Sequence, residues 1–193
     1  MTEKPALTGI VLAGGRSVRM GSDKASLPWR GGDLLHAVLN ALTPVCSELI
    51  VVSNSPRVIT LPDVRVVADS YPGCGPLGGI HAGLAASGSD YNFVVACDMP
   101  YIDGRAAKYM AAAASGFDVA VPFIDGYFHP LHAVYHRRCL PVVEKMLTSG
   151  RYRIVDLYPE VRLRLVNAEE LAQFSPDFAI FRNLNSPADL CNL

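Results

Sequence analysis

Two short runs, Leu7–Leu12 (LTGIVL) and Asn92–Cys97 (NFVVAC), contain no charged residue, and each stops at a segment rich in glycine or acid. Apolar runs of this length read as strands buried on both faces, the kind that builds parallel sheets. The rest of the chain alternates in the same way. Glu48–Val52, Val64–Ala68, Asp118–Pro122 and Leu131–Tyr135 read as further strands. Val161–Val166 alternates like an edge strand, with Arg162 and Arg164 on a solvated face. Asp33 is placed as N-cap of a helix carrying Leu34, Leu35, Val38, Leu39 and Leu42, which Pro44 ends. Helices are also expected over Pro76–Ala86, Arg105–Ser115 and Arg138–Thr148, the last closed by Gly150. A short segment, Phe181–Leu184, precedes a terminal helix starting near Pro187. The expected fold class is α/β: a single Rossmann-like domain with a mainly parallel sheet flanked by helices.

Composition narrows the functions open to such a fold. With 17 basic and 18 acidic residues the net charge is −1, which argues against a general nucleic-acid coat. The 193 residues suit one domain at roughly 150 residues each. Five scattered cysteines without a C-x-x-C pair read as reduced thiols of a cytoplasmic protein. Met1–Pro5 meets no signal-peptide pattern, and no apolar run approaches the ~20 residues of a membrane span, so no membrane partner is expected.

In a parallel α/β sheet the loops at the carboxyl ends of the strands form the ligand crevice. The first such loop reads Leu12-Ala13-Gly14-Gly15-Arg16-Ser17-Val18-Arg19-Met20-Gly21-Ser22-Asp23-Lys24. Its glycines let backbone N–H groups line an anion, and Arg19 and Lys24 add two cations. It is not a P-loop, since G-x-x-x-x-G-K-[ST] is absent. Glycines alone would read as a flexible turn; the spaced cations after a buried strand favour a triphosphate site.

The second loop, Asp69 to Ile80, holds a formal G-x-G-x-x-G at Gly73, Gly75 and Gly78, with Asp98 about 20 residues on. The match to a dinucleotide fingerprint is a decoy, because Asp69–Pro72 separates it from the preceding strand. It reads instead as a second wall around a nucleotide, with Pro76 in the first turn of a helix. Asp98, at the end of the second apolar run, is placed to hold Mg²⁺, a hard cation that prefers oxygen. Its alternative role, capping the next helix, suits Asp103 better.

Together, LAGG-x-S-x-R-M-G-x-D-K, GPLGGI and ACDMPYI, with His129-Pro130 and Asn183-Leu184-Asn185-Ser186-Pro187, resemble the molybdenum cofactor guanylyltransferases, nucleotidyltransferases with an LAGG loop. The resemblance implies transfer of GMP from GTP to the terminal phosphate of molybdopterin, with release of pyrophosphate. It implies a nucleotide-binding half over about residues 1–100 and an acceptor-binding half over about 101–193. Leu12, Ala13, Gly14 and Gly15 would cradle guanine and phosphates, Lys24 would meet the triphosphate, and Asn54 and Asp69 would lie near the nucleoside, with Gly75 and Gly78 in the second wall. Transient contacts with cofactor-delivery or acceptor proteins would follow.

The residue types agree with that chemistry. A phosphate monoester is largely a dianion at pH 7 and needs no general base. Arg19, Lys24 and Mg²⁺ would offset the repulsion between two anionic substrates. On the acceptor side, His129 is either a ligand contact or a buried histidine satisfied by hydrogen bonds. Arg151 and Arg153 bind a phosphate or form a solvated turn. Asn183 and Asn185 line the crevice or start the last helix. The same fold moving CMP, or a nucleotide-binding regulator without turnover, remain the alternative readings.

Overall fold

A computed structural model describes residues 6–14, 24–56, 59 and 61–184. The elements follow as β1 (Leu7–Leu12), a 3-10 turn at Lys24–Ser26, β2 (Pro28–Trp29), β3 (Gly32–Asp33), α1 (Leu34–Leu42), β4 (Glu48–Val52) and β5 (Val64–Val67). Next come α2 (Pro76–Ala86), β6 (Tyr91–Ala96), α3 (Gly104–Ala113), β7 (Val119–Ile124), β8 (Tyr127–Phe128) and β9 (His132–His136). The chain continues through a 3-10 turn at Arg137–Cys139, α4 (Leu140–Thr148), a 3-10 helix at Ile154–Glu160, β10 (Leu163–Val166), α5 (Ala168–Ala172) and a 3-10 turn at Ala179–Phe181.

One sheet runs in the order β10-β7-β9-β6-β1-β4-β5, with β8 paired to β7. β1 lies between β4 and β6, parallel to both, and is buried along its whole length. That burial is what an uncharged strand requires. β9 is antiparallel to β6 and to β7, so β7 and β10 regain the direction of β6. The expected mainly parallel α/β sheet is present, with β9 as a reversed insert. Strands from both halves of the sequence share this sheet.

Each face has its own core. One gathers Leu35, Val38, Leu39 and Leu42 of α1 and Ala107 and Met110 of α3 against Val11, Phe93 and Val134. The other gathers Leu77, Ile80 and Leu84 of α2 and Val143, Met146 and Leu147 of α4 against Ile10, Val94, Val121 and Tyr135. The Asp33 carboxylate accepts the His36 N–H at 2.8 Å and caps α1 as expected. Pro76 stands in the first turn of α2, also as expected.

Several expectations shift. The segment before Thr148 is not one helix: the His136 ring accepts the Arg138 N–H, a 3-10 turn follows, and α4 starts only at Leu140. The last strand is shorter than Val161–Val166, and Arg162 and Arg164 are not merely solvated. Arg162 and Arg138 both pair with Asp118, and Arg164 pairs with Glu170 at 2.6 Å. Burial raises the Asp118 carboxyl, but the Arg162 hydrogen bonds and the two guanidinium charges outweigh it and hold the group below the usual range. Two hairpins were not anticipated. Trp29 faces Gly32 across Arg30-Gly31, and Ile124 faces Tyr127 across Asp125-Gly126. Both central pairs have positive φ, the type I′ geometry that matches strand twist. The Asp-Gly pair was a legible signal. The terminal helix near Pro187 lies outside the described residues.

α2 sits on β1 through two glycines. A Cβ on Gly83 would stand 2.5 Å from Ile10 Cγ2 and 2.9 Å from its Cδ1, and one on Gly79 would stand 3.1 Å from Leu12. Gly83→Ala is therefore expected to lower stability in urea unfolding. Overpacking of about 1–3 kcal/mol opposes a helix-propensity gain of about 1 kcal/mol. A midpoint at or above that of the parent would show that Ile10 yields.

Candidate functional site

The carboxyl ends of β1, β4, β5 and β6 are laced together beyond the sheet ladder. Ala13 N–H donates to the Val52 carbonyl at 2.9 Å, Ser53 N–H to Val67 at 2.9 Å, and Cys97 N–H to Leu12 at 3.1 Å. This lacing fixes where the following loops depart. Leu12 and Ala13 are buried, and Gly14 is exposed. Gly15 and Arg19 lie outside the described residues. The backbone returns at Lys24, which opens the Lys24–Ser26 turn.

The second wall forms around Asp69. The Asn54 side-chain oxygen accepts the Asp69 N–H at 2.8 Å, and the Asp69 carboxylate accepts the Tyr71 N–H at 2.8 Å. Asn54 and Asp69, 15 residues apart, thus form one unit. Gly78 lets that unit approach α2: a Cβ there would fall 2.8 and 2.9 Å from the two Asp69 carboxylate oxygens. Gly75 caps α2 at φ +69°, a conformation that side chains other than glycine rarely take. The N-terminus of α2, where Pro76 lacks an N–H and the Gly78 N–H donates to the Gly75 carbonyl at 3.3 Å, turns its positive dipole end to the same edge of the sheet.

Asp98 follows β6 on that edge. Asp103, not Asp98, caps α3, its carboxylate accepting the Arg105 N–H at 2.7 Å. The Arg105 hydrogen bond holds the Asp103 carboxyl below its usual range. The end of the described chain folds back here: Leu184 N–H donates to the Asp98 carbonyl at 2.8 Å. Leu184 is buried with Leu27, Trp29 and Leu34, beside Tyr101. Trp29 and Tyr101 meet edge to face at 5.2 Å. Exposed Asn183 is thereby brought to the rim next to Asp98; Asn185 lies outside the described residues.

Magnesium is commonly bound by one or two carboxylates, with phosphate oxygens and water completing the shell. Among the described residues no three His, Cys, Asp or Glu side chains gather as a metal cage. Asp98 beside two phosphate-suited loops fits such a shared site. Burial pushes the Cys139 thiol up to about 12, so it packs rather than reacts.

The acceptor-side candidates fall into two groups. His129 stacks on Phe181 with ring centroids 4.0 Å apart, and burial lowers its pKa. Phe181 also meets His132 edge-on at 4.9 Å, a contact the sequence did not reveal. Arg151 and Arg153 lie in the loop after α4. β9 ends at the amino edge of the sheet, since His136 pairs with Tyr91, and α4 then returns to the carboxyl edge. Arg151 pairs with Glu160 at 2.6 Å, whereas Arg153 stands 4.0 Å from Asp156 with a side chain 79% exposed. Arg153 is thus the less committed guanidinium. Tyr152 between them is exposed, and the neighbouring Cys74 thiol of the second loop raises its hydroxyl pKa.

Comparison with known proteins agrees over nearly the whole chain. The family model for the MobA-like NTP transferase domain matches residues 9–163. A protein of Pelotomaculum thermopropionicum named "Probable molybdenum cofactor guanylyltransferase" is 39% identical, with 95% of this chain and 89% of that protein covered. The molybdenum cofactor guanylyltransferase of Desulfosudis oleivorans is 35% identical, over 96% of this chain and 93% of its own. The crystal structure of molybdopterin-guanine dinucleotide biosynthesis protein A from Archaeoglobus fulgidus superposes with a TM-score of 0.81 at 25% identity, covering 96% and 95% of the two chains.

His132 gives this region a pH signature. It is fully buried, both ring nitrogens lack a hydrogen-bond partner, and burial, with the nearby His129, lowers its pKa to about 3. An unfolded histidine titrates near 6.5, so below that pH the unfolded chain binds a proton that the folded one refuses. Its stabilising contribution is complete above about pH 6.5 and is lost as pH falls toward 3, with a slope of up to about 1.4 kcal/mol per pH unit. Urea unfolding between pH 7 and 4.5 should show this slope, and His132→Leu should reduce it. An equal slope in the variant would assign the proton elsewhere.

Proposed function

The chain belongs to the MobA-like NTP transferase family, and from that premise we infer that it transfers GMP from GTP to the terminal phosphate of molybdopterin, releasing pyrophosphate. The product is the guanine dinucleotide form of the molybdenum cofactor. The observation that carries the reading is the convergence, on one edge of one sheet, of Leu12–Gly14, the Asn54–Asp69 unit, the start of α2 and Asp98.

The chemistry asks little of the protein in proton transfer. An oxygen of the acceptor phosphate dianion attacks the α-phosphorus of GTP, the bond to the bridging oxygen breaks, and pyrophosphate leaves with the electron pair. No proton need be removed from the nucleophile. What the site supplies is position and positive charge. Backbone N–H groups of the LAGG loop and of the α2 terminus take the phosphates, and Arg19 and Lys24 neutralise them. The Asn54–Asp69 unit borders the nucleoside. Asp98 would hold a magnesium ion, which when bound offsets charge on the triphosphate and the departing pyrophosphate. Arg153 is the favoured landing site for the acceptor phosphate, because Arg151 already has a carboxylate partner.

Pyrophosphate release by the purified protein, with molybdopterin, Mg²⁺ and each nucleoside triphosphate in turn, tests the reading. GTP should outperform CTP and ATP; equal release with CTP would replace guanylyl by cytidylyl transfer. Asp98→Asn should lower turnover by about 100-fold or more while leaving thermal unfolding nearly unchanged. Near-normal turnover across a Mg²⁺ titration would remove Asp98 from the metal. Lys24→Ala should lose about 2–4 kcal/mol of transition-state stabilisation and weaken GTP binding; unchanged kinetics would return Lys24 to a solvent role.

A further inference from the structure

Five large hydrophobic side chains are exposed among the described residues: Val66, Phe123, Tyr127, Tyr152 and Leu165. Val66 and Leu165 lie on the strands at the two ends of the sheet order, β5 and β10. The three aromatic ones belong to the acceptor half, and the register places the hairpin pair. Val119 and Asn92 both pair with Tyr135, so they stand level across β9. Four residues on, Phe123 stands level with Ala96, and the hairpin tip at Asp125 stands level with Asp98. The β7–β8 hairpin therefore rises at the ligand edge of the sheet.

Its two faces differ. Val119 and Val121 pack on the α2/α4 side, and alternation puts Phe123 on that same side. Phe123 meets Phe128 at 4.8 Å, and Phe128 meets Tyr158 at 4.9 Å. Tyr158 is buried and belongs to the 3-10 helix that begins directly after Arg153. The three rings form a ladder from core to solvent, with Phe123 38% exposed at its outer end. The hairpin is fixed by its type I′ turn and by the His129 N–H bond to the Pro122 carbonyl at 3.0 Å. Tyr127 pairs with Ile124, which packs in the opposite core, and so belongs to the other face despite its 73% exposure.

We propose that the Phe123–Phe128–Tyr158 ladder is a stacking platform for the flat pyrimidinone ring of the acceptor, holding a pterin while Arg153 receives its phosphate. The proposal rests on the functional reading above for the identity of the ring. A rigid ring held by rings behind it loses little freedom on stacking, and aromatic stacking tolerates differences in ring substituents. The platform adds affinity for the pterin without touching GTP.

The test uses Phe123→Leu, which keeps apolar bulk and removes the ring, with Phe123→Trp as rescue and Tyr127→Leu as the control on the opposite face. Molybdopterin and 6-hydroxymethylpterin, a pterin without the phosphate tail, serve as probes by fluorescence quenching; GTP is measured by calorimetry. Phe123→Leu should weaken both pterins about 10-fold or more, and raise KM for molybdopterin by a similar factor with kcat little changed. GTP affinity should hold, Phe123→Trp should restore pterin binding, and Tyr127→Leu should match the parent. If the parent protein turns over GTP with molybdopterin and Phe123→Leu has the same KM, the platform is refuted and the functional reading stands. If the parent binds 6-hydroxymethylpterin through Phe123 but transfers nothing to molybdopterin, the functional reading fails and the platform stands. Equal pterin losses in Phe123→Leu and Tyr127→Leu would also refute it, pointing to an unspecific surface effect.

Discussion

Everything at the candidate site depends on β1 being paired in parallel on both sides. With β4 and β6 as neighbours, its carboxyl end becomes the centre of the sheet edge. The Ala13–Val52 and Cys97–Leu12 hydrogen bonds then fix the exits of the first loop and of the Asp98 segment relative to each other. A parallel strand must be covered on both faces, and α1, α2 and α3 supply that cover. α2 packs closely because glycines, not side chains, meet Ile10 and Leu12. The same helix then delivers its N-terminus to the edge that those hydrogen bonds define.

The site is built largely from backbone and from small residues that permit close approach. Gly78 exists to admit the Asp69 carboxylate, and Asn54 is committed to the Asp69 N–H. An arrangement of this kind suits a highly charged nucleotide, because main-chain N–H groups are preorganised and cost no reorganisation when charge develops. A phosphate dianion is already a competent nucleophile, so the remaining task is electrostatic.

The C-terminal half of the chain follows a different logic. β9 reverses direction between β6 and β7, so the chain reaches α4 from the amino edge and returns Arg151–Arg153 to the carboxyl edge. The C-terminal segment closes the other flank, with Phe181 on His129 and His132 and the Leu184 N–H on Asp98. Asp98, His129 with His132, and Phe181 with Leu184 are distant in sequence and are brought together by these contacts.

The sequence by itself determined the strands, the capped α1, the opening of α2 at Pro76 and the LAGG, GPLGG and CDMP segments. These are local matters of periodicity, capping and glycine chemistry, and they hold wherever the segment ends up. It left the two type I′ hairpins unread although Asp125-Gly126 stated one of them openly. Only the tertiary structure decided that β9 runs backwards, that Arg151 pairs closely with Glu160 while Arg153 is held only loosely by Asp156, that Arg162 and Arg138 share Asp118, and that Phe123 and Tyr127 fall on opposite faces of one hairpin. The physical reason is that strand direction, ion pairing and facing are settled by contacts between segments distant in the chain. Local sequence fixes what a residue can offer, and the packed sheet fixes what it meets.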